Sequence, residues 1–173
     1  CFDGLYLRRS EVTFLAAEPK TGKTTFATQV ARGMVRDFDG LNVLFSMEMT
    51  PKEIFEKDIQ RIRGHRLWQK LPSGSLNPEY TEYAQKVRDW YRNDKPGKFL
   101  VDHRGSATIQ QIRSRVLQAQ AETSRKIRTI IIDQFDKLVP ERFSSNDSSN
   151  SKSISVNLNT LAKELDVAIL VLI

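Results

Sequence analysis

The feature that most constrains the fold is a regular alternation of short apolar runs with segments of helical spacing. Five runs are rich in β-branched and aliphatic residues and are too short to be helices. They are residues 12–17, 42–46, 98–102, 129–133 and 167–173. Because the runs are apolar on both faces, helices are expected to cover the strands on both sides, as in a parallel sheet. The alternation therefore predicts an α/β fold with an open, mostly parallel sheet that binds its ligand at the carboxyl ends of the strands.

The segments between the runs have recognisable helix starts. Thr50 is followed by Pro51 and Glu53, and Thr108 is followed by Gln111. Both are capping boxes, in which side chains satisfy the first free amides of a helix. Helical spacing places one set of apolar residues toward the core. These residues are Phe26, Ala27, Val30, Ala31, Met34, Ile54, Phe55, Ile59, Ile62, Tyr80, Tyr83, Val87, Trp90, Ile109, Ile112, Val116, Ile154, Leu158, Leu161 and Leu165.

Composition limits the class of protein. The 173 residues include 27 Lys and Arg against 21 Asp and Glu, a net charge of +6, which admits a nucleic-acid partner without requiring one. No apolar run approaches the ~20 residues of a membrane span, so no membrane association is expected. One cysteine, Cys1, cannot form an internal disulfide, which favours the reducing cytoplasm. Because the chain ends within an apolar run, we expect residues 1–173 to be one domain, truncated at both ends.

A phosphate-binding loop stands between the first strand and the first helix. The sequence from Ala17 to Thr24, Ala-Glu-Pro-Lys-Thr-Gly-Lys-Thr, is the P-loop pattern with Ala in place of the first Gly. Backbone amides of such a loop and the following helix N-terminus bind phosphate oxygens, Lys23 reaches the β- and γ-phosphates, and the Thr24 hydroxyl is a ligand for Mg²⁺. The alternative is an accidental Gly-Lys-Thr at a helix start. The residues predicted to bind ATP are Pro19, Lys20, Thr21, Gly22, Lys23, Thr24 and Thr25.

Two carboxylates follow predicted strands. Asp133 ends the apolar strand Ile-Ile-Ile-Asp, the Walker B pattern, and is predicted to hold Mg²⁺ through water together with Thr24. Glu48, in Ser-Met-Glu-Met, is predicted to polarise the attacking water if its strand pairs with the P-loop strand or lies one strand away. The alternatives are that Asp133 is an ordinary turn residue at the end of a strand and that Glu48 is an exposed acid that precedes a helix. Glu48 and Lys23 are the predicted catalytic residues.

These blocks, in this order, resemble the RecA-type motor domain of DnaB-family replicative helicases over nearly the whole chain. The segment Leu158 to Leu165 also resembles that family. After Asp133, however, Gln134 to Leu138 (Gln-Phe-Asp-Lys-Leu) stands where the family usually has an aromatic residue and then Leu-Gln-Leu. That departure leaves room for a phage, plasmid or integrated-element relative. The resemblance implies a RecA-like P-loop core that hydrolyses ATP to move along single-stranded DNA in replication. It also implies a homo-oligomeric ring, a hexamer, when full length, with a primase or a loader as candidate partners.

Two other classes share the same phosphate-binding motif. A RecA- or KaiC-like recombinase, loader or switch would hydrolyse ATP without unwinding DNA, and only the Ser46–Met49 block and its spacing to residues 106–110 favour the helicase. A nucleotide-dependent scaffold would have lost hydrolysis. Joint retention of Lys23, Thr24, Glu48 and Asp133 argues against such a loss.

The candidate contacts with DNA lie in residues 142–153. Residues 142–153 are nearly all small and polar, which predicts a mobile loop. RecA-like motors have a channel loop at this place, so Arg142 and Lys152 are candidate DNA contacts, although the segment has a net charge of only +1. A surface loop is the alternative. The basic stretch 104–128 is expected to be a solvated helix face or a subunit contact. Trp68 and Trp90 are expected in the core or at a subunit contact, and His65 and His103 lack metal-ligand spacing.

Overall fold

The structure is a computed structural model, and it describes residues 7–18, 21–64, 69–92, 97–142 and 144–173. The predicted alternation of strands and helices is confirmed. In chain order the elements are β1 (Val12–Leu15), α1 (Lys23–Asp37), β2 (Gly40–Ser46), α2 (Pro51–Arg63), α3 (Pro78–Arg92), β3 (Gly97–His103), α4 (Ile109–Thr123), β4 (Ile127–Asp133), a short 3₁₀ helix (Phe135–Lys137), α5 (Asp147–Leu165) and β5 (Ala168–Leu172).

One five-stranded sheet organises these elements. Its order is β1-β5-β4-β2-β3, and every neighbouring pair is parallel. Strands β2 and β5 are buried along their whole length, as expected for strands covered on both faces. Because all strands run in one direction, their carboxyl ends share one edge, where Ser46 of β2 lies opposite Asp133 of β4.

Alternate strand residues point to opposite faces of the sheet, and each face has its own core. On one face Val43, Phe45 and Ile132 pack with residues of α4 and α5. On the other face Leu44 and Ile131 pack with residues of α1 and α2. Helices therefore cover both faces, as predicted. Helices α2 and α3 also share a smaller apolar cluster, formed by Ile59, Ala84 and Val87 with partly buried aromatic neighbours.

Both predicted capping boxes are present. The Thr50 hydroxyl accepts from the Glu53 amide at 3.3 Å, and the Glu53 carboxylate accepts from the Thr50 amide at 2.7 Å. Thr108 and Gln111 make the equivalent pair at 3.2 and 3.0 Å. Each box satisfies two amides that a helix start otherwise leaves free, which fixes where α2 and α4 begin.

The predicted buried faces of α1 and α2 need correction. Arg32 of α1 is buried because it forms an ion pair with buried Asp58 of α2, so this contact replaces part of the expected apolar face. Ile62 was expected in the core but is 39% exposed, in the last turn of α2 after the last buried residue, Ile59.

The predicted mobile loop over residues 142–153 is wrong in its second half. Helix α5 begins at Asp147, where the side chain of Asn146 accepts a hydrogen bond from the Ser148 amide at 3.0 Å. Small polar residues compete for backbone hydrogen bonds within a helix but favour its cap, and the buried Ile154 and Leu158 anchor the turns that follow. None of the helices among the described residues is long and apolar enough to cross a membrane.

Candidate nucleotide-binding site

A cleft of about 850 Å³ opens at the carboxyl edge of the sheet. This is the edge where open α/β sheets bind ligands. The P-loop and α1, the β2–α2 connection, the end of β4 and the end of β5 contribute to its walls. The lining residues are Ala17, Gly22, Lys23, Thr24, Thr25, Glu48, Met49, Lys57, Asp133, Gln134 and Ile173.

The P-loop ends on a helix start suited to an anion. Gly22 has φ +97°, a left-handed conformation that glycine adopts readily, and it directly precedes Lys23, the first residue of α1. No side chain caps this helix start, and its first turn contains no acidic residue. The first amides of α1 and its positive dipole end are therefore left available for phosphate oxygens.

The described part of the P-loop is held by its own hydrogen bonds. Lys23 Nζ donates to the Ala17 carbonyl at 2.6 Å, and Thr21 Oγ1 donates to the Glu18 carbonyl at 2.7 Å. The predicted nucleotide-binding residues Pro19 and Lys20 lie outside the described residues. The Lys23 ammonium therefore lies against the backbone of the loop that is predicted to bind the phosphates.

The P-loop and the Walker B strand meet through one hydrogen bond. Thr24 Oγ1 donates to Asp133 Oδ2 at 2.7 Å, across 109 residues of sequence. Burial raises the pKa of Asp133 above its ordinary value, and nearby Glu48 adds to the rise, whereas the Thr24 hydrogen bond and the charges of Lys57 and Lys23 lower it. A buried carboxylate beside a hydroxyl offers oxygen ligands to a hard cation.

These two oxygen donors fit Mg²⁺ bound together with phosphates. The described part of the chain contains no group of three or more His, Cys, Asp or Glu side chains that could hold a metal ion by itself. Magnesium keeps several waters and commonly takes one or two protein ligands plus phosphate oxygens. Thr24 and Asp133 therefore suit a cation that arrives with a nucleotide.

Glu48 lines the cleft, but its strand does not have the place in the sheet that the sequence analysis assumed. Strand β2 neither pairs with β1 nor lies one strand away, because β5 and β4 stand between them. Instead β2 pairs with β4, and the Met47 amide donates to the Asp133 carbonyl at 2.6 Å. Glu48, the next residue, is exposed and lines the cleft beside Asp133. Ser46 Oγ holds this turn by donating to the Met49 carbonyl at 2.7 Å.

Two polar side chains of the cleft were missed by the sequence prediction. Lys57 lies on α2 and lines the cleft, although a lysine on a helix usually belongs to a solvated face. The sequence position of Lys57 could have indicated its place, since α2 begins three residues after Glu48. Gln134 also lines the cleft, and it stands where the sequence departs from the family pattern.

The candidate DNA contacts are not part of this cleft. Arg142 and Lys152 are both exposed, but Lys152 lies on α5 and not in a loop. The basic stretch 104–128 is largely compensated by acids from other elements. Among the described residues its ion pairs include Arg104–Asp102, Arg115–Asp102, Arg115–Glu122, Arg113–Glu164 and Arg125–Asp39.

The remaining aromatic and histidine residues have structural contacts. Trp90 is half-buried, with the Arg32 guanidinium 5.2 Å from its ring centre. His103 Nδ1 lies 3.0 Å from the Ser46 carbonyl. Trp68 and His65 lie outside the described residues.

Comparisons with known proteins identify the family. The model described as the DnaB-like helicase C terminal domain matches residues 2–173. Among curated relatives, the replicative DNA helicase DnaB of Buchnera aphidicola subsp. Acyrthosiphon pisum is 28% identical over 176 residues, and that of Geobacillus stearothermophilus is 25% identical over 166 residues. These alignments cover 96% and 95% of this chain, but the chain spans only 35% of each relative.

Solved structures share the fold. A DnaB-like replicative helicase, described with its interactions with primase, aligns with a TM-score of 0.76 at 24% identity over 96% of this chain and 39% of its own. The ATPase domain of G40P aligns with a TM-score of 0.76 at 24% identity over 95% of this chain and 57% of its own. They support the predicted RecA-like core. The family model's match over residues 2–173 establishes that the chain belongs to the DnaB-like helicase C-terminal domain family.

Proposed function

We propose that this chain is the ATP-hydrolysing motor domain of a replicative DNA helicase. One observation carries the proposal: the hydrogen bond between Thr24 and Asp133 lies in a cleft that Lys23 and Glu48 also line. A phosphate cradle, a metal-binding pair and a carboxylate for water activation are the parts that phosphoryl transfer to water requires. The curated relatives named above are replicative DNA helicases.

The binding step uses the amino end of α1. The triphosphate would lie against the Gly22 turn and the first amides of α1, and Lys23 would exchange its bond to the Ala17 carbonyl for the β- and γ-phosphate oxygens. Thr24 and Asp133 would hold Mg²⁺, which neutralises phosphate charge when bound. The proposed cofactor is therefore Mg-ATP, and the Thr24 hydroxyl and Asp133 carboxylate would exchange their mutual hydrogen bond for the metal.

The hydrolytic step is assigned to Glu48. Its carboxylate is exposed toward the cleft and stands next to the strand that carries Asp133, so it would accept a proton from water that attacks the γ-phosphorus. The bond from that phosphorus to the β–γ bridging oxygen breaks, which leaves ADP and inorganic phosphate. Lys23 would stabilise negative charge on the same phosphates during this displacement.

The assembly proposed for the full-length protein is a homo-oligomeric ring, a hexamer, around single-stranded DNA. Arg142 and Lys152 stay candidate DNA contacts because both are exposed and basic. A primase or a loader is the proposed partner, and support for the former comes from the similar DnaB-like helicase described with its interactions with primase.

The test is unwinding of a forked DNA duplex by the full-length protein, followed by release of a labelled strand. ATP should support unwinding, and a non-hydrolysable ATP analogue should not. A Lys23→Ala variant is the matched control and should be inactive with both nucleotides. ATP hydrolysis without strand release would overturn the helicase assignment and favour a RecA-like switch.

A further inference from the structure

We infer that Gln134 is a further catalytic residue, which orients the attacking water at the terminal phosphate of ATP while Glu48 accepts the proton. This inference rests on the proposed ATP site. Gln134 directly follows Asp133, the last residue of β4, and lines the same cleft as Lys23 and Glu48. The inference gives a function to the residue at which this chain departs from the usual pattern of its family.

The Gln134 side chain is free to take a ligand. Within the described part of the chain its carboxamide makes no hydrogen bond, and it does not cap the 3₁₀ helix that begins at the next residue. Because the residue is half-buried and lines the cleft, a bound nucleotide would displace water from this amide. The nucleotide and its attacking water would then have to supply the hydrogen bonds that the amide loses.

The sheet register brings Gln134 and Glu48 to the same part of the cleft. Ser46 of β2 pairs with Asp133 of β4. Gln134 stands one residue beyond this pair and Glu48 two residues beyond it, on neighbouring strand ends that are about 4.8 Å apart. The Met47 amide donates to the Asp133 carbonyl at 2.6 Å and ties the two connections together. Both residues therefore approach the position assigned above to the attacking water.

The charge of the cleft favours an amide at this place. Burial raises the pKa of Asp133, and the nearby charge of Glu48 raises it further. A third carboxylate would add to this repulsion and would repel a triphosphate. A carboxamide is neutral and offers both kinds of hydrogen bond, so its oxygen would accept from the water while its NH₂ group donates to a γ-phosphate oxygen. Glutamine positions water in this way in other phosphoryl-transfer sites.

Glu48 and Gln134 would divide the hydrolytic step. Glu48 accepts the proton that leaves the water as the new oxygen–phosphorus bond forms and the bond to the β–γ bridging oxygen breaks. Gln134 takes no proton, because a carboxamide is not a base near neutral pH. It fixes the place and orientation of the water relative to the phosphorus, which lowers the entropy cost of the attack.

The backbone after Gln134 is anchored to the phosphate site. The Gln134 carbonyl accepts from the Lys137 amide at 3.2 Å, which closes the 3₁₀ turn. The Phe135 ring packs edge-on against Phe14 of β1, with the ring centres 6.0 Å apart. Strand β1 leads into the P-loop, so the segment that carries Gln134 is attached to an element that positions the phosphates. An amide held in this way loses little freedom when the nucleotide binds.

The first experiment compares the full-length protein with its Gln134→Leu variant, since leucine has a similar volume but no hydrogen-bonding group. Single-turnover hydrolysis should fall by roughly 10²-fold, and affinity for Mg-AMP-PNP should stay within about threefold. Affinity for Mg-ADP with aluminium fluoride, which mimics the phosphoryl group and its in-line water, should fall by about tenfold or more. Asp136→Leu, exposed on the 3₁₀ helix and not among the described residues that line the cleft, is the matched control and should change none of the three.

Two results of this experiment would overturn the inference. Parental hydrolysis in Gln134→Leu would show that the amide is not used. An equal loss of affinity for AMP-PNP and for the aluminium fluoride complex would show a merely structural role, because a residue that acts on the water affects the second complex more. If Gln134→Leu does not fold by circular dichroism, Gln134→Ser, which is polar but too short to reach the same point, replaces it.

The second experiment tests the division of roles. A carboxamide does not titrate near neutral pH, so the pH dependence of the single-turnover rate should keep its shape in Gln134→Leu. A changed shape would mean that the proton acceptor itself is altered, which contradicts the assignment. Gln134→Glu keeps an acceptor oxygen but loses the donor and adds a negative charge, so it should weaken Mg-AMP-PNP binding where Gln134→Leu does not. Parental binding and hydrolysis by Gln134→Glu would remove the amide donor from the inference.

Failure of this inference is distinguishable from failure of the ATP site. If Lys23→Ala binds Mg-AMP-PNP as the parent does, the proposed site itself is wrong. If Lys23→Ala abolishes binding while Gln134→Leu hydrolyses ATP at the parental rate, only the role of Gln134 is wrong.

Discussion

The buried ion pair between Arg32 and Asp58 gives the strongest stability prediction. The two side chains are 8% and 3% exposed, so Arg32→Met would leave a buried carboxylate with the Tyr91 hydroxyl as its remaining partner among the described residues. Removal of one partner from a buried pair costs about 3–5 kcal/mol. Because Met keeps most of the volume, little cavity cost is added. For a domain of this size the loss corresponds to a fall in Tm of roughly 6–20 °C.

The assay is equilibrium urea unfolding followed by circular dichroism. Arg36→Met is the matched control, since Arg36 lies on the same helix with its side chain 74% exposed, and it should change stability by less than about 0.5 kcal/mol. The double variant Arg32→Met with Asp58→Met should recover most of the loss, because an apolar pair removes the unpaired charge. A loss below about 1 kcal/mol in Arg32→Met would show that Arg32 does not compensate a buried charge on Asp58.

The pH dependence of the Arg32→Met variant follows from the same burial. In that variant the Asp58 carboxylate has no cation, and burial would raise its pKa above the value in the unfolded chain. The folded state then binds the proton more tightly, so the stability deficit should shrink as the pH falls toward 4. A deficit that is constant between pH 4 and pH 7 would contradict a buried unpaired charge.

Three other predictions concern the cleft. Lys23→Ala should abolish Mg-ATP binding measured by calorimetry and leave thermal unfolding almost unchanged, because its ammonium contacts only the loop carbonyl of Ala17 among the hydrogen bonds described. In Asp133→Asn the free energy of unfolding of the nucleotide-free chain should exceed that of the parent, and the difference should grow as the pH rises above about 4. The reason is that burial raises the pKa of Asp133 in the folded state, so ionisation of this carboxylate destabilises the parent fold. Urea unfolding at several pH values checks the sign. The 173-residue chain alone should hydrolyse ATP ~10³ to 10⁵ times more slowly than the proposed full-length ring, because an arginine supplied in trans by a neighbouring subunit stabilises the transition-state charge in phosphoryl transfer. Equal turnover by chain and ring in a phosphate-release assay would contradict that dependence.

Local signals in the sequence predicted most of the fold. Short apolar runs became the five parallel strands, and the capping boxes at Thr50 and Thr108 became the starts of α2 and α4. The P-loop and Walker B patterns predicted Thr24 and Asp133 as joint ligands of one Mg²⁺, and the structure places their side chains in hydrogen-bonding contact. The strands and helix starts depend on a few neighbouring residues, and the Thr24–Asp133 pair depends on the ligand preference of Mg²⁺.

Features set by distant contacts were not predictable in the same way. Strand order depends on how crossovers pack, so the place of β2 beside β4, and with it the route of Glu48, had no local signal. Arg32 and Asp58 read as ordinary surface charges until α1 and α2 are brought together. The early start of α5 depended on its cap at Asn146.

In the proposed reaction this cleft hydrolyses ATP, and Glu48 is the group that activates water. The most direct measurement is single-turnover hydrolysis by the full-length protein and its Glu48→Gln variant, beside the affinity of each for Mg-ATP. Glutamine keeps the shape and some hydrogen bonding of glutamate but cannot accept the proton as a base. Mg-ATP should still bind, and hydrolysis should fall by roughly 10² to 10⁴. Hydrolysis by Glu48→Gln at the parental rate would show that Glu48 does not activate the water.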